Sequence, residues 1–79
     1  MKIRQFRYST DNFSYLIYGK ETGLVIDGGA VQGIFSFLDK QNLSLKYAVN
    51  THFHPDHTIG TDTLLNQTGA TYLEEETLL

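Results

Sequence analysis

The stretch from Leu24 to Thr51 changes its hydropathy period twice, and few folds accommodate such a change. Leu24-Val25-Ile26 is a short, wholly apolar run, which fits a strand buried on both faces, as in a parallel sheet. Val31, Ile34, Phe35 and Leu38 then recur at i, i+3, i+4 and i+7, one stripe of an α-helix. Gly28-Gly29 ahead of the stripe supplies a tight turn, and Gln41-Asn42 behind it marks the exit. Tyr47-Ala48-Val49 reads as a second short strand running into Asn50-Thr51. Strand, helix and strand over residues 24–51 make a βαβ unit, whose crossover is right-handed.

The flanks extend this pattern. Phe6 and Tyr8 alternate with Gln5 and Arg7, as in a half-buried strand. Thr10-Asp11-Asn12 is a turn signal. Phe13 to Tyr18 is an aromatic and β-branched strand, followed by a hairpin loop over Gly19-Lys20-Glu21-Thr22-Gly23. Downstream, a second helix is predicted near residues 58–67, weakened by Gly60. Gly69 interrupts it, and Thr71-Tyr72-Leu73 reads as a third parallel strand. Glu74-Glu75-Glu76 opens a further helix, where acidic residues suit the positive N-terminal end. The fold class is therefore α/β (α+β), with a mixed sheet and two βαβ units.

Composition narrows the function. With 79 residues the chain forms one small domain, of a size that buries roughly 60% of its unfolded surface. It contains no Cys, so disulfides and thiolate–metal sites are excluded, and any metal must be held by His and carboxylates. A net charge of -3 argues against nucleic acid as a partner, because neutralising phosphates requires a basic patch. No apolar run approaches the ~20 residues needed to span a bilayer. Met1-Lys2-Ile3-Arg4-Gln5-Phe6-Arg7 lacks the apolar segment of a secretory signal. These features predict a cytoplasmic protein that binds a small molecule or a metal.

All three histidines fall in one run, His52-Phe53-His54-Pro55-Asp56-His57. Imidazole and carboxylate are ligands that Zn²⁺ accepts. His52 and His54 are two apart at a strand end, so their side chains leave the same face while the backbone stays extended, and Pro55 disfavours the α region for His54. Beyond Pro55 the chain turns, and Asp56 and His57 can swing towards the same space. Asp27 ends the preceding parallel strand. In open α/β sheets ligand sites form outside the carboxyl ends of strands, so Asp27 reads either as part of that site or as one residue of a simple Asp-Gly-Gly turn.

The run from Thr51 to Gly60 resembles the HxHxDH motif of the metallo-β-lactamase-fold superfamily. Asn12-Phe13-Ser14-Tyr15-Leu16-Ile17 resembles its opening strand, and Val25-Ile26-Asp27-Gly28-Gly29 its first strand end. The three motifs stand in the family's order, and the resemblance covers essentially the whole chain. It implies a four-layer αβ/βα sandwich of more than twice this length, of which residues 1–79 are a single, incomplete N-terminal domain. It also implies up to two zinc ions, with iron or manganese as alternatives. His52 and His54 would hold the first, Asp56 and His57 the second; Asp56 would also orient the metal-bound water, and Asp27 would support the ligands. The chemistry would be hydrolysis of a small-molecule ester or thioester by a metal-bound hydroxide. The glyoxalase II-like hydrolases, which cleave thioesters such as hydroxyacylglutathione, are the branch it resembles most. His54 stands where the flavodiiron branch has Glu, and Ile59 departs from the Gly-Gly that often follows the motif.

The family draws a further His, a bridging Asp and a last His from beyond this motif, whereas residues 58–79 contain no His and Asp62 lies too near to bridge. The expectation is an incomplete site, completed by a missing C-terminal part or by self-association, with little activity in the chain alone. The competing expectations are a metal-binding module without turnover and an inert, self-associating fragment.

Overall fold

The computed structural model describes the backbone of residues 1–8, 10, 12–51 and 55–73, and the side chains of these except residues 55–59. The elements are β1 (Lys2–Arg7), β2 (Phe13–Tyr18), β3 (Thr22–Ile26), α1 (Val31–Gln41), β4 (Ser44–Val49), α2 (Pro55–Thr68) and β5 (Thr71–Tyr72). They form one five-stranded sheet in the order β1-β2-β3-β4-β5. β1, β2 and β3 are an antiparallel meander, while β3, β4 and β5 run parallel through the two helical crossovers. This is the mixed sheet with two βαβ units that the hydropathy periods predict.

The boundaries differ from the sequence reading where pairing outweighs local pattern. β1 starts at Lys2 rather than Gln5, because its full length pairs with β2 from Lys2↔Tyr18 to Arg7↔Phe13. The charges of Lys2, Arg4 and Arg7 sit comfortably on an edge strand, where they also discourage pairing with other chains. The hairpin loop shortens to Gly19–Glu21, since the Gly19 N–H donates to the Thr22 carbonyl at 3.0 Å and Thr22 and Gly23 join β3. Pro55 begins α2, a position where its missing N–H costs no helical hydrogen bond. α1 ends as expected at Asn42, which takes φ 57°, and the Leu43 N–H returns to the Leu38 carbonyl at 2.9 Å. The helix expected from Glu74 lies outside the described residues.

Both helices cover the same face of the sheet. Leu16, Val25 and Ala48 stand side by side across β2, β3 and β4 and are fully buried with Ile34 of α1 and Leu64 of α2. A register shift after Gly23 lets Leu45 face the helices as well, three residues before Ala48. At the β1 end the core continues as an aromatic cluster: the Phe37 ring meets Tyr18 edge-on at 5.1 Å and Phe6 at 5.9 Å. The Arg4 guanidinium lies 4.9 Å from the Phe37 centroid, within cation–π range.

One expectation is corrected here. The Leu24–Ile26 strand is not buried on both faces: Val25 is fully covered, but Leu24 and Ile26 are only half-buried. With α1 and α2 on one side, the described residues leave the other side of the sheet partly open.

Candidate metal centre

Because β3 and β4 are parallel, their carboxyl ends emerge on one edge, where Asp27 and Thr51 follow them. The Asp27 N–H still donates to the Val49 carbonyl at 2.9 Å, after which the backbone turns sharply at Asp27, φ 57°. Asp tolerates this left-handed conformation better than most residues because its short polar side chain bonds locally. Its carboxylate is buried and grips Thr51, the residue before His52. Oδ1 accepts the Thr51 N–H at 2.8 Å and Oδ2 accepts the Thr51 hydroxyl at 2.6 Å. Hydrogen bonds to an ionised acceptor are the strong kind, contributing roughly 1.5–3 kcal/mol each.

The turn after Asp27 is held from two sides. The Ser14 hydroxyl, fully buried on β2, donates to the Asp27 carbonyl and accepts the Ala30 N–H at 3.0 Å. The Gly29 N–H closes the turn on the Asp27 carbonyl at 2.9 Å. From the other side, the Thr61 hydroxyl of α2 accepts the Gly28 N–H at 3.1 Å and donates to Asn50 Oδ1 at 2.7 Å. The helix backbone comes just as close. A Cβ on Gly60 would lie 2.5 Å from the Gly28 carbonyl oxygen and 2.7 Å from Gly29 Cα, so only glycine fits there. Gly60, which weakens α2 as an isolated helix, is what lets α2 dock on the turn.

The predicted site residues fall into two groups. Asp27 lies against Thr51, the residue before His52. His52 and His54 lie outside the described residues, as do the side chains of Asp56 and His57, whose backbone belongs to the first turn of α2. Among the described residues, no three or more His, Cys, Asp or Glu side chains come together. Sequence reasoning missed Ser14, Asn50 and Thr61. Ser14 and Thr61 carried a readable signal: Ser14 is two residues from Leu16, and Thr61 three from Leu64, so each is a polar side chain at a core position.

The profile of the Metallo-beta-lactamase superfamily matches residues 9–78. Similar sequences include a hydroxyacylglutathione hydrolase from Pelagibacter ubique (strain HTCC1062), 37% identical over 75 residues, covering 92% of this chain and 31% of that protein. Hydroxyacylglutathione hydrolase 1 from Vibrio vulnificus (strain YJ016) is 44% identical over 50 residues, covering 63% of this chain and 20% of that protein. The chain thus spans a third or less of these relatives. Among solved structures, the BLEG-1 B3 metallo-β-lactamase superposes with a TM-score of 0.78 at 20% identity, over 95% of this chain and 38% of that one. ETHE1 from Myxococcus xanthus gives 0.77 at 27% identity, over 91% and 34%. The profile match spans most of the chain, the identity to curated relatives runs over nearly its whole length and the superpositions share its fold, so the chain belongs to the metallo-β-lactamase superfamily.

Proposed function

We propose that this chain carries metal-holding residues of a hydrolase that cleaves small esters or thioesters. The observation that carries the reading is the Asp27–Thr51 contact: a buried carboxylate fixes the backbone at the residue where three histidines and an aspartate follow within six positions. The donor set of imidazoles and one carboxylate, with no thiolate, suits zinc, with iron and manganese as alternatives. The names of the similar sequences point to an acylglutathione thioester as the substrate class.

In this reading His52 and His54 hold one ion, and Asp56 and His57 a second. When bound, the metal lowers the pKa of a coordinated water to about 7 and polarises the carbonyl under attack. The chain's own residues orient and hold. Asp56 would orient the metal-bound water. Asp27 keeps Thr51, the residue before His52, in one geometry.

Donor number favours a second reading for the chain by itself. A zinc site takes three or four protein ligands, and the run offers four donors for two ions. We therefore propose that residues 1–79 form an incomplete domain whose site needs further donors, from more chain or from a second copy. The alternative is a metal-binding module without turnover.

Zinc titration by calorimetry, paired with a thioester hydrolysis assay, tests both. Zinc binding that His52→Ala and His54→Ala abolish is expected, with hydrolysis weak or absent in the monomer. Binding unaffected by both substitutions contradicts the metal reading. A sedimenting monomer that hydrolyses the thioester at nanomolar concentration contradicts the incompleteness.

A further inference from the structure

We propose that Thr61 and Asn50 are positioning residues that clamp the two flanks of segment 52–57 together, so that its donors meet a metal in one arrangement. The inference rests on the reading that this segment holds a metal, and it adds residues outside the motif to the machinery.

The argument is the closure of a ring. Upstream of the segment, Thr51 is bonded to the Asp27 carboxylate at 2.8 and 2.6 Å. Downstream, Thr61 is bonded to the Gly28 N–H at 3.1 Å. Asp27 and Gly28 are adjacent, so both flanks hang from one turn. Asn50 then joins the flanks directly, its Oδ1 accepting the Thr61 hydroxyl at 2.7 Å. The path from Asp27 to Gly28, Thr61, Asn50, Thr51 and back to Asp27 is closed by three hydrogen-bonded steps and two peptide links. The ring brings together Thr51 on one flank of segment 52–57 and Thr61 of α2 on the other, and the Gly60 backbone seated on Gly28 leaves the downstream flank no room to slide.

Thr61 is suited to this and to little else. It is 1% exposed, and one hydroxyl serves as donor to Asn50 and acceptor from Gly28. Valine would fill the same space and lose both bonds; serine would keep both. Holding the two flanks of a metal-binding segment before the metal arrives removes part of the ordering cost that binding must otherwise meet.

Zinc calorimetry on the full chain tests the clamp, with amide hydrogen exchange of residues 51–60 in the metal-free chain as a second readout. Thr61→Ser should bind zinc within about twofold of wild type. Thr61→Val and Asn50→Ala should bind about tenfold more weakly, in the range seen when groups supporting metal ligands are removed, and should exchange faster across 51–60. Asn50→Ala leaves the Gly28–Thr61 bond in place, so it carries the test if Thr61→Val fails to fold. Zinc affinity and exchange unchanged in these variants, with His52→Ala unable to bind, overturn the clamp alone. Wild type binding zinc no better than His52→Ala overturns the metal reading, and the proposal with it.

Discussion

The two faces of the sheet obey different rules. On the helix-covered face, Leu16, Val25, Ala48, Ile34 and Leu64 are fully buried, as are the polar side chains of Ser14 and Thr61. On the other face, Ile3 is 70% exposed, Tyr15 37% and Tyr47 36%, with Ile17, Leu24, Ile26 and Val49 half-buried between them. Hydropathy does not distinguish them, since both are apolar. Strand order does. β3, β4 and β5 follow one another in the same direction across the sheet, and crossovers of one hand then put both helices on one side. Among the described residues burial is decided by topology, and the face away from the helices is left partly open.

Core truncation should give the largest contrast. Leu16→Ala removes a fully buried side chain and should cost about 3 kcal/mol or more, whereas Tyr47→Ala, on the open face, should cost less than about 1 kcal/mol. Urea denaturation of the two variants measures the contrast, and equal losses would break it. Gly60→Ala sharpens it at the site end of the helix face. The added methyl must displace backbone rather than a flexible side chain, which puts the loss at about 1–3 kcal/mol although alanine is the better helix former.

Asp27→Asn asks how much the anchor depends on charge. Asparagine keeps the left-handed backbone, yet it cannot accept both Thr51 bonds. A loss of about 1–2 kcal/mol is expected, and an unchanged unfolding midpoint would contradict the anchoring role of the carboxylate. The smallest stability effect belongs to the triple change Ile3→Ser, Tyr15→Ser and Tyr47→Ser, at within about 0.5 kcal/mol per site. Under the proposal that a second copy completes the site, it should also shift the chain towards monomer in sedimentation at micromolar concentration. No shift, from a wild type that does associate, would clear the open face of that role.

The contrast also explains what could be read from the sequence. α1 was legible because Val31, Ile34, Phe35 and Leu38 make one stripe against one partner layer, and β2 because its aromatic and β-branched run is bounded by turn residues. The first turn of α2 was not, since the period of 58–67 is blurred by Gly60 and Thr61, whose positions answer to the Asp27–Gly29 turn. β1 was half legible: its charged positions conceal a strand that only pairing with β2 extends to Lys2. Asp27 could be suspected from the strand it ends, but its grip on Thr51 depends on β3 and β4 being adjacent and parallel, a long-range fact. Asn50 left no trace, because nothing local tells a strand-end asparagine from one bonded to a helix residue eleven positions later.

In the proposed function the histidine run, flanked by residues bonded to the turn after β3, holds a metal at the carboxyl ends of β3 and β4. A crystal structure of the zinc-loaded chain, with anomalous data at the zinc edge, tests it directly. The account predicts a zinc peak there, with ring nitrogens of both His52 and His54 at about 2.0–2.1 Å and the Asp27 carboxylate still bonded to Thr51. Imidazoles of His52 and His54 on opposite sides of the chain, or zinc bound only elsewhere, would contradict it.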